Sequence, residues 1–410
     1  MSAAKGSLKK RDFRALDGWR GVCALMVALL HLEVGSHIFG LSPVQTAYLL
    51  VDCFFVLSGF VLTHAYHHRI HDARSAGVMM WRRFARLWPL HVVMLAAFVL
   101  LELGASIASA VSGVPRRVAL FDPASTSLLE AVPSHLLLLH SMGLHDRLTW
   151  NIPSWSISVE YWTGAVFALI VIWRRRTTLL AVAAGLAGLG VLALADRQLY
   201  AADHDLGFFR CLLGFFVGHL TYKLSASRAL ATARLPWTGL EVAAITAIPV
   251  LAHWTQGTRW VLAMPIALGG LVWLLSIEGG RVSDLLKSRP AQALGRWSYA
   301  IYMIHALVVA LIGRVIGFLG KAYGVDVELP FPGSVHTDKV WSLGSPWMMD
   351  LVTIGYLVIV IAFAAAAWRY IEMPCQAFLN RLVPDNGRAS RGTRTASLDV
   401  PSVPMVPSAR

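Results

Sequence analysis

The sequence predicts an all-α protein: a polytopic bundle of about ten membrane-spanning helices with both termini in the cytoplasm. Three observations carry that reading. Of 410 residues, 56% are hydrophobic and only 14% charged. The apolar stretches are too long and too numerous for a soluble core. Basic residues cluster in alternate connections, as the positive-inside rule requires.

The apolar stretches lie near residues 18–37, 46–66, 87–111, 154–173, 177–195, 206–223, 237–253, 259–277, 297–319 and 347–370. The first carries Arg20 and has no small-residue cleavage site after it, so it is expected to stay as a helix and not to be removed as a signal peptide. Lys5, Lys9, Lys10, Arg11 and Arg14 precede it, and Arg69, Arg74, Arg82, Arg83 and Arg86 follow the second stretch. Arg174, Arg175 and Arg176 follow the fourth, and Lys223, Arg228 and Arg234 the sixth. The intervening connections differ: residues 38–45 carry no charge, and 196–205 carry Asp196, Asp203 and Asp205 against Arg197. The net charge of +13 is therefore a topology signal and not the footprint of a nucleic-acid partner. Cysteines at 23, 53, 211 and 375 have no paired spacing, which argues against structural disulfides and a Cys metal site.

Two connections on the opposite side are long, 112–153 and 320–346. The first contains an apolar piece, Ala131 to Leu139, too short to span and expected to be re-entrant or interfacial. The chain divides into a cytoplasmic N-terminus (1–17), a transmembrane domain (18–377) and a cytoplasmic tail (378–410) whose Ser, Pro, Arg and Gly content predicts disorder.

Ionisable residues inside spans are the first functional signal, because a charge at mid-bilayer costs roughly 2.5–3.5 kcal/mol and normally faces a protein interior, a wet cavity or a ligand. Arg20 and His31 are eleven residues apart, about 16 Å of rise, and at about 100° per residue they return to nearly the same helix face. A packing histidine satisfied by a neighbouring helix is the plain alternative. Glu33 is about 200° around the helix from His31, so an orienting carboxylate would come from Asp17, Asp52, Glu160 or another helix.

Six distinct segments follow one another along the chain: Leu16-Asp17-Gly18-Trp19-Arg20-Gly21 with His31; Phe54-Phe55-Val56-Leu57-Ser58-Gly59-Phe60; Arg83-x-x-Arg86 before Pro89; Trp155-Ser156-Ile157-Ser158-Val159-Glu160; Ser298-Tyr299-x-x-Tyr302-x-x-His305; and Ile371-Glu372-Met373-Pro374. This ordered set resembles the acyltransferase-3 family of integral membrane O-acyltransferases and covers nearly the whole membrane domain. The resemblance implies transfer of an acyl group, most simply acetyl from acetyl-CoA or another acyl-CoA, to a hydroxyl of a cell-envelope or exported saccharide or glycolipid.

On that resemblance His31 is the catalytic base. A hydroxyl attacking a thioester must lose its proton as the new bond forms, and a neutral imidazole suits that task. An acyl-histidine intermediate stays open beside direct transfer. The family associates the arginine pair with acyl-CoA, and Arg83 and Arg86 share a helix face that can bracket a phosphate; positive-inside placement alone explains their sign but not their spacing. Arg20 is read as a further donor-phosphate contact. Glu160 orients either the acceptor hydroxyl or the base, or else makes an interhelical hydrogen bond.

Asp17, Ser58, Tyr302, His305 and Trp155 are read as cavity or substrate-binding residues, each with a packing alternative. Tyr299, Tyr302 and His305 recur at three-residue intervals on one helix surface, Ser58-Gly59 allows close helix approach, and tryptophans near 155 more often form an interfacial belt. Glu372 can pair with a basic loop, and Arg314 can snorkel. His64, His67, His68 and His71 have helical spacing but no Cys or well-placed Glu, so no metal is expected there or elsewhere. The rival class is a transporter moving a polar solute without chemistry; it too needs intramembrane charges, but the six ordered motifs weigh against it. The expected partners are acyl-CoA, the acceptor and the bilayer of a bacterial-type inner membrane, with oligomeric state, homo-oligomers included, left open.

Overall fold

The computed structural model describes residues 12–113, 129–173, 176–195, 201–225, 235–331 and 337–383. In chain order the helices are α1 (Arg14–His31), α2 (Ser42–Gln45), α3 (Leu50–Tyr66), α4 (Ala73–Ser112), α5 (Val132–Leu136), α6 (Trp155–Ile172), α7 (Thr177–Leu194), α8 (Gly207–Ser225), α9 (Trp237–Thr255), α10 (Met264–Ile277), α11 (Arg281–Leu286), α12 (Arg289–Tyr323), α13 (Pro346–Ala367) and α14 (Met373–Arg381). Two three-residue strands, β1 (Glu328–Pro330) and β2 (Lys339–Trp341), pair antiparallel between α12 and α13. The protein is an all-α membrane bundle. Among the described residues seven helical segments are long and apolar enough to cross a bilayer, those containing α3, α4, α6, α7, α10, α12 and α13. The other three expected spans, α1, α8 and α9, are helices too, but they carry Arg14, Asp17 and Arg20, Arg210 and Lys223, and Glu241.

Backbone contact at glycines sets the helix crossings. A Cβ on Gly59 of α3 would lie 1.8 Å from the Phe215 carbonyl oxygen of α8, and one on Gly218 of α8 would lie 1.9 Å from that of Val56. Gly18 and Gly21 of α1 meet the backbone of Leu286, Leu294 and Gly295 in the same way, bringing α1 against α11 and α12. Small residues let helices approach until backbones touch, the packing that works in lipid.

The arginines at 82, 83 and 86 were expected just before a span beginning near 87. They lie instead inside α4, a continuous helix of 40 residues that starts on Asp72. The Asp72 side chain accepts from the Ser75 amide while the Ser75 hydroxyl receives the Asp72 N–H, a capping box that extends the helix back through the polar residues. At about 60 Å, α4 is twice the thickness of the hydrocarbon layer. α14 also continues to Arg381, past the start assigned to the tail, and Trp81 Nε1 on α4 donates to the Leu379 carbonyl. The remainder of the expected tail, from 384, lies outside the described residues, as do 114–128 of the first long connection.

The apolar piece Ala131 to Leu139 forms the short helix α5 and then an irregular turn. Trp88 Nε1 on α4 donates to the Leu136 carbonyl, and the Leu138 carbonyl accepts from Ser158 and Trp162 of α6. The second long connection folds back over the end of α1: the Trp341 amide donates to the Glu33 carbonyl (2.8 Å) and Gly35 returns a bond to Trp341 (2.9 Å).

Candidate functional site

A cavity of about 100 Å³ opens among α1, α3, α4, α6 and α12. Its polar lining includes Arg20, Ser58, Arg83, Arg86, Glu160 and Tyr302, drawn from five separate sequence motifs. Depth along the helices explains the meeting. Arg20 and Arg83 lie about 9 and 15 Å from the first residues of α1 and α4, and Glu160 about 18 Å from the last residue of the oppositely directed α6.

The two arginines of the Arg-x-x-Arg pattern have different surroundings. Arg83 turns into the bundle: its Nη2 donates to Glu160 Oε1 at 2.8 Å and to the Glu160 carbonyl at 3.3 Å. The Ser58 hydroxyl donates to the same carboxylate oxygen at 2.6 Å. Glu160 is thus engaged by a cation and a hydroxyl. Arg86 faces Arg20, and each feels the other's charge together with that of Asp17 and Glu372. Asp17 itself approaches Arg20 only to 4.0 Å and is largely exposed. Half-buried Arg20 and exposed Arg86 share the cavity mouth, and although Asp17, Glu160 and Glu372 act on Arg20, its closest carboxylate contact is 4.0 Å, which leaves both guanidinium groups able to take an anion.

His31 closes α1 and lies outside the cavity lining. Its Nδ1 is 2.8 Å from the Val27 carbonyl oxygen. A carbonyl only accepts, so Nδ1 carries the proton and the neutral ring presents a bare Nε2. A backbone carbonyl therefore orients His31 from within its own helix. Asp52 is committed elsewhere, as is Glu160. The His31 ring meets His305 edge-on with centroids 4.9 Å apart, and His305 lies 5.7 Å from Tyr302. The Tyr302 hydroxyl accepts from Ser156 at 2.9 Å. Tyr302 and His305 thus link the cavity to His31. Tyr299 donates to the Leu87 carbonyl, tying α12 to α4.

Trp155 is not in the cavity. It packs on Phe55 and lies under the Arg210 guanidinium, 5.2 Å from its centroid. Arg210, in the apolar run 206–223, is a buried residue the sequence reading passed over. It makes a forked pair with Asp52, Nε to Oδ1 at 2.9 Å and Nη2 to Oδ2 at 2.7 Å, with both side chains at most 2% exposed. An arginine within an apolar run was the available signal. Its partner, 158 residues earlier, carried none. Arg314 pairs with Glu102 at 3.6 Å on an exposed face. His64 contacts the Tyr222 hydroxyl at 3.2 Å, and His67 lies 2.8 Å from Lys223 Nζ. The four cysteines are unpaired.

Fold and site together define an integral membrane protein with acid–base and cationic groups gathered around a cavity between its helices. Its motifs are those of an enzyme family: the profile of the acyltransferase-3 family's acyltransferase domain matches residues 13–369, and the chain belongs to that family. It is 24% identical over 403 residues to acyltransferase MdmB of Streptomyces mycarofaciens, covering 90% of this chain and 93% of that protein. It is 37% identical over 175 residues to protein 2 in the picA locus of Rhizobium radiobacter, covering 41% of this chain and 85% of that one. No solved structure matches. The protein is a membrane O-acyltransferase.

Proposed function

We propose that this O-acyltransferase takes an acetyl group from acetyl-CoA on the cytoplasmic side of a bacterial-type inner membrane and delivers it to a hydroxyl of a cell-envelope or exported saccharide. Residues 18–377 form its catalytic domain. The observation that carries the reading is the 2.8 Å contact of His31 Nδ1 with the Val27 carbonyl, which leaves Nε2 as a base.

The donor's phosphates bind at Arg20 and Arg86, and the pantetheine arm runs along the cavity toward Tyr302 and His305. An arm of this kind is needed, because Arg20 and His31 are about 16 Å apart along α1. The acceptor hydroxyl approaches from the end of α1 that β2 crosses at Glu33 and Gly35. His31 Nε2 takes the hydroxyl proton as the oxygen attacks the thioester carbonyl. The carbon–sulfur bond breaks, and the leaving CoA thiolate takes up the proton released by the His31 imidazolium, which restores the base. The Glu160–Arg83–Ser58 cluster holds α3, α4 and α6 in register around the thioester. MdmB, similar along almost its full length, is named as an acyltransferase, which favours chemistry over bare transport.

The test is acetyl transfer by the full-length protein in nanodiscs, using labelled acetyl-CoA, a panel of envelope glycans, and wild type beside His31→Ala. Label on a glycan with wild type alone is the expected result, since a positioned base contributes roughly 10²–10⁴-fold. Full transfer by a folded His31→Ala protein removes the base assignment. Solute flux without transfer overturns the enzymatic reading of this donor and acceptor.

A further inference from the structure

Three histidines meet away from the cavity. His91 lies on α4, about 12 Å along the axis from Arg83. His135 is on α5, and His140 follows in the turn before α6. All three are buried, with side chains at most 4% exposed. One ring nitrogen of each lies within 4.8 Å of the others.

Their hydrogen bonds favour one tautomer. His91 Nε2 lies 3.0 Å from the His135 carbonyl, and His140 Nε2 lies 3.1 Å from both the carbonyl and the hydroxyl of Ser154. Because a carbonyl only accepts, both Nε2 atoms carry the proton and both Nδ1 atoms present lone pairs. His135 Nε2 is 2.8 Å from the Thr149 hydroxyl, which can accept in the same sense. The Nδ1 atoms of all three are buried without a hydrogen-bond partner. An unsatisfied buried acceptor costs about 1–3 kcal/mol, so three in one cluster need a common explanation.

The geometry points to a divalent transition-metal site, most simply Zn2+, with His91, His135 and His140 as its nitrogen ligands. One neutral nitrogen facing the ion while the other N–H donates to a backbone carbonyl is the arrangement that fixes a ligating histidine. An ion would satisfy all three lone pairs at once. Zn2+ imposes no ligand-field geometry and accepts three imidazoles with a fourth group completing a tetrahedron. The rings stack nearly parallel, 7–8° apart, so ligation requires them to fan about their side-chain torsions while keeping the Nε2 anchors.

The site has a structural role. It fastens the segment from α5 to His140 onto α4. That segment's Leu138 carbonyl in turn receives Ser158 and Trp162 of α6, which flank Glu160 two residues to either side. The three-histidine site depends on neither the acyl donor nor the acceptor. The sequence alone did not single out His91, His135 or His140, which meet only once α4 and α5 pack.

The experiment is metal content by plasma mass spectrometry on the full-length protein, purified in detergent through a tag without histidines and incubated with Zn2+. Beside wild type stand His140→Gln and, as a control, His204→Gln from the separate Asp203-His204-Asp205 group. Wild type and His204→Gln are expected to retain close to one zinc per chain, and His140→Gln to bind at least about 10-fold more weakly, the loss that even a partner of a ligand causes. Co2+ in place of zinc gives a tetrahedral visible spectrum in wild type only if the imidazoles converge on the ion. Wild type without bound zinc or a Co2+ spectrum overturns the site whatever the variants do. Zinc lost with His204→Gln but kept with His140→Gln overturns it equally.

Discussion

Arg83 and Glu160 face each other across 2.8 Å inside the bundle, while Arg86, one turn further along α4, faces Arg20. A pattern that reads as one phosphate clamp has two different environments. Arg83→Ala leaves the half-buried Glu160 carboxylate with Ser58 but no cation, and breaking a fully buried pair costs about 3–5 kcal/mol, an upper bound here. The expected result is a large drop in thermal stability in detergent, with Arg83→Ala/Glu160→Gln recovering much of it. A substantial rise in KM for acyl-CoA with unchanged stability would instead assign Arg83 to the donor.

Arg86→Gln and Arg20→Gln are expected to leave the fold intact and to raise KM for acyl-CoA by about tenfold each, with smaller changes in kcat. A hydrogen bond to a charged group contributes about 1.5–3 kcal/mol. Initial rates against donor concentration at low and high salt test this: the wild-type KM should rise with ionic strength and those of the variants should rise less. Unchanged donor KM in both variants would place the phosphates elsewhere.

Asp52 and Arg210 are the most deeply buried ion pair described, and nothing in their local sequence couples them. Asp52→Asn and Arg210→Met should each destabilise by about 3–5 kcal/mol, and Asp52→Leu/Arg210→Met should be close to wild type, because paired removal leaves no buried charge. A double-mutant cycle on unfolding midpoints reads the coupling.

Period and length made the helices legible: each of the ten apolar runs forms a helix, the first (18–37) only as far as His31, because a lipid-facing backbone must satisfy its own hydrogen bonds. The hairpin β1–β2 was not, since strands of three residues are too short to show an alternation. The polar start of α4 was missed because its Asp72–Ser75 cap overrides hydropathy. Arg20, Ser58, Arg83, Arg86, Glu160 and Tyr302 were all singled out from the sequence, and they share one cavity. Their pairings were not legible, because residues such as Ser58 and Glu160 meet only once α3 and α6 pack.

Two glycine substitutions separate close approach from local propensity. Gly59→Ala puts a Cβ against the Phe215 carbonyl, a backbone atom with nowhere to move, so α3 and α8 must part and the protein should fail to accumulate folded. Gly77 in α4 has no atom within 4 Å of an added Cβ, so Gly77→Ala should stabilise by about 0.5–1 kcal/mol. Yield and monodispersity in detergent check the first, and the thermal midpoint the second.

His305 is wholly buried, its ring nitrogens reach no hydrogen bond of good geometry beyond the nearby Ile301 and Tyr302 backbone of its own helix, and its ring meets that of His31 edge-on. A buried nitrogen left poorly satisfied is a local cost of about 1–3 kcal/mol. A leucine of similar volume would relieve it with little repacking. His305→Leu is therefore expected to unfold at higher temperature than wild type while its kcat falls at least tenfold, because the polar ring that links His31 to Tyr302 is gone. Thermal unfolding and acyl-transfer rates on the same preparation read both effects. A stabilised variant with undiminished kcat would reduce His305 to packing, and a destabilised one would show that its nitrogens are satisfied within the bundle.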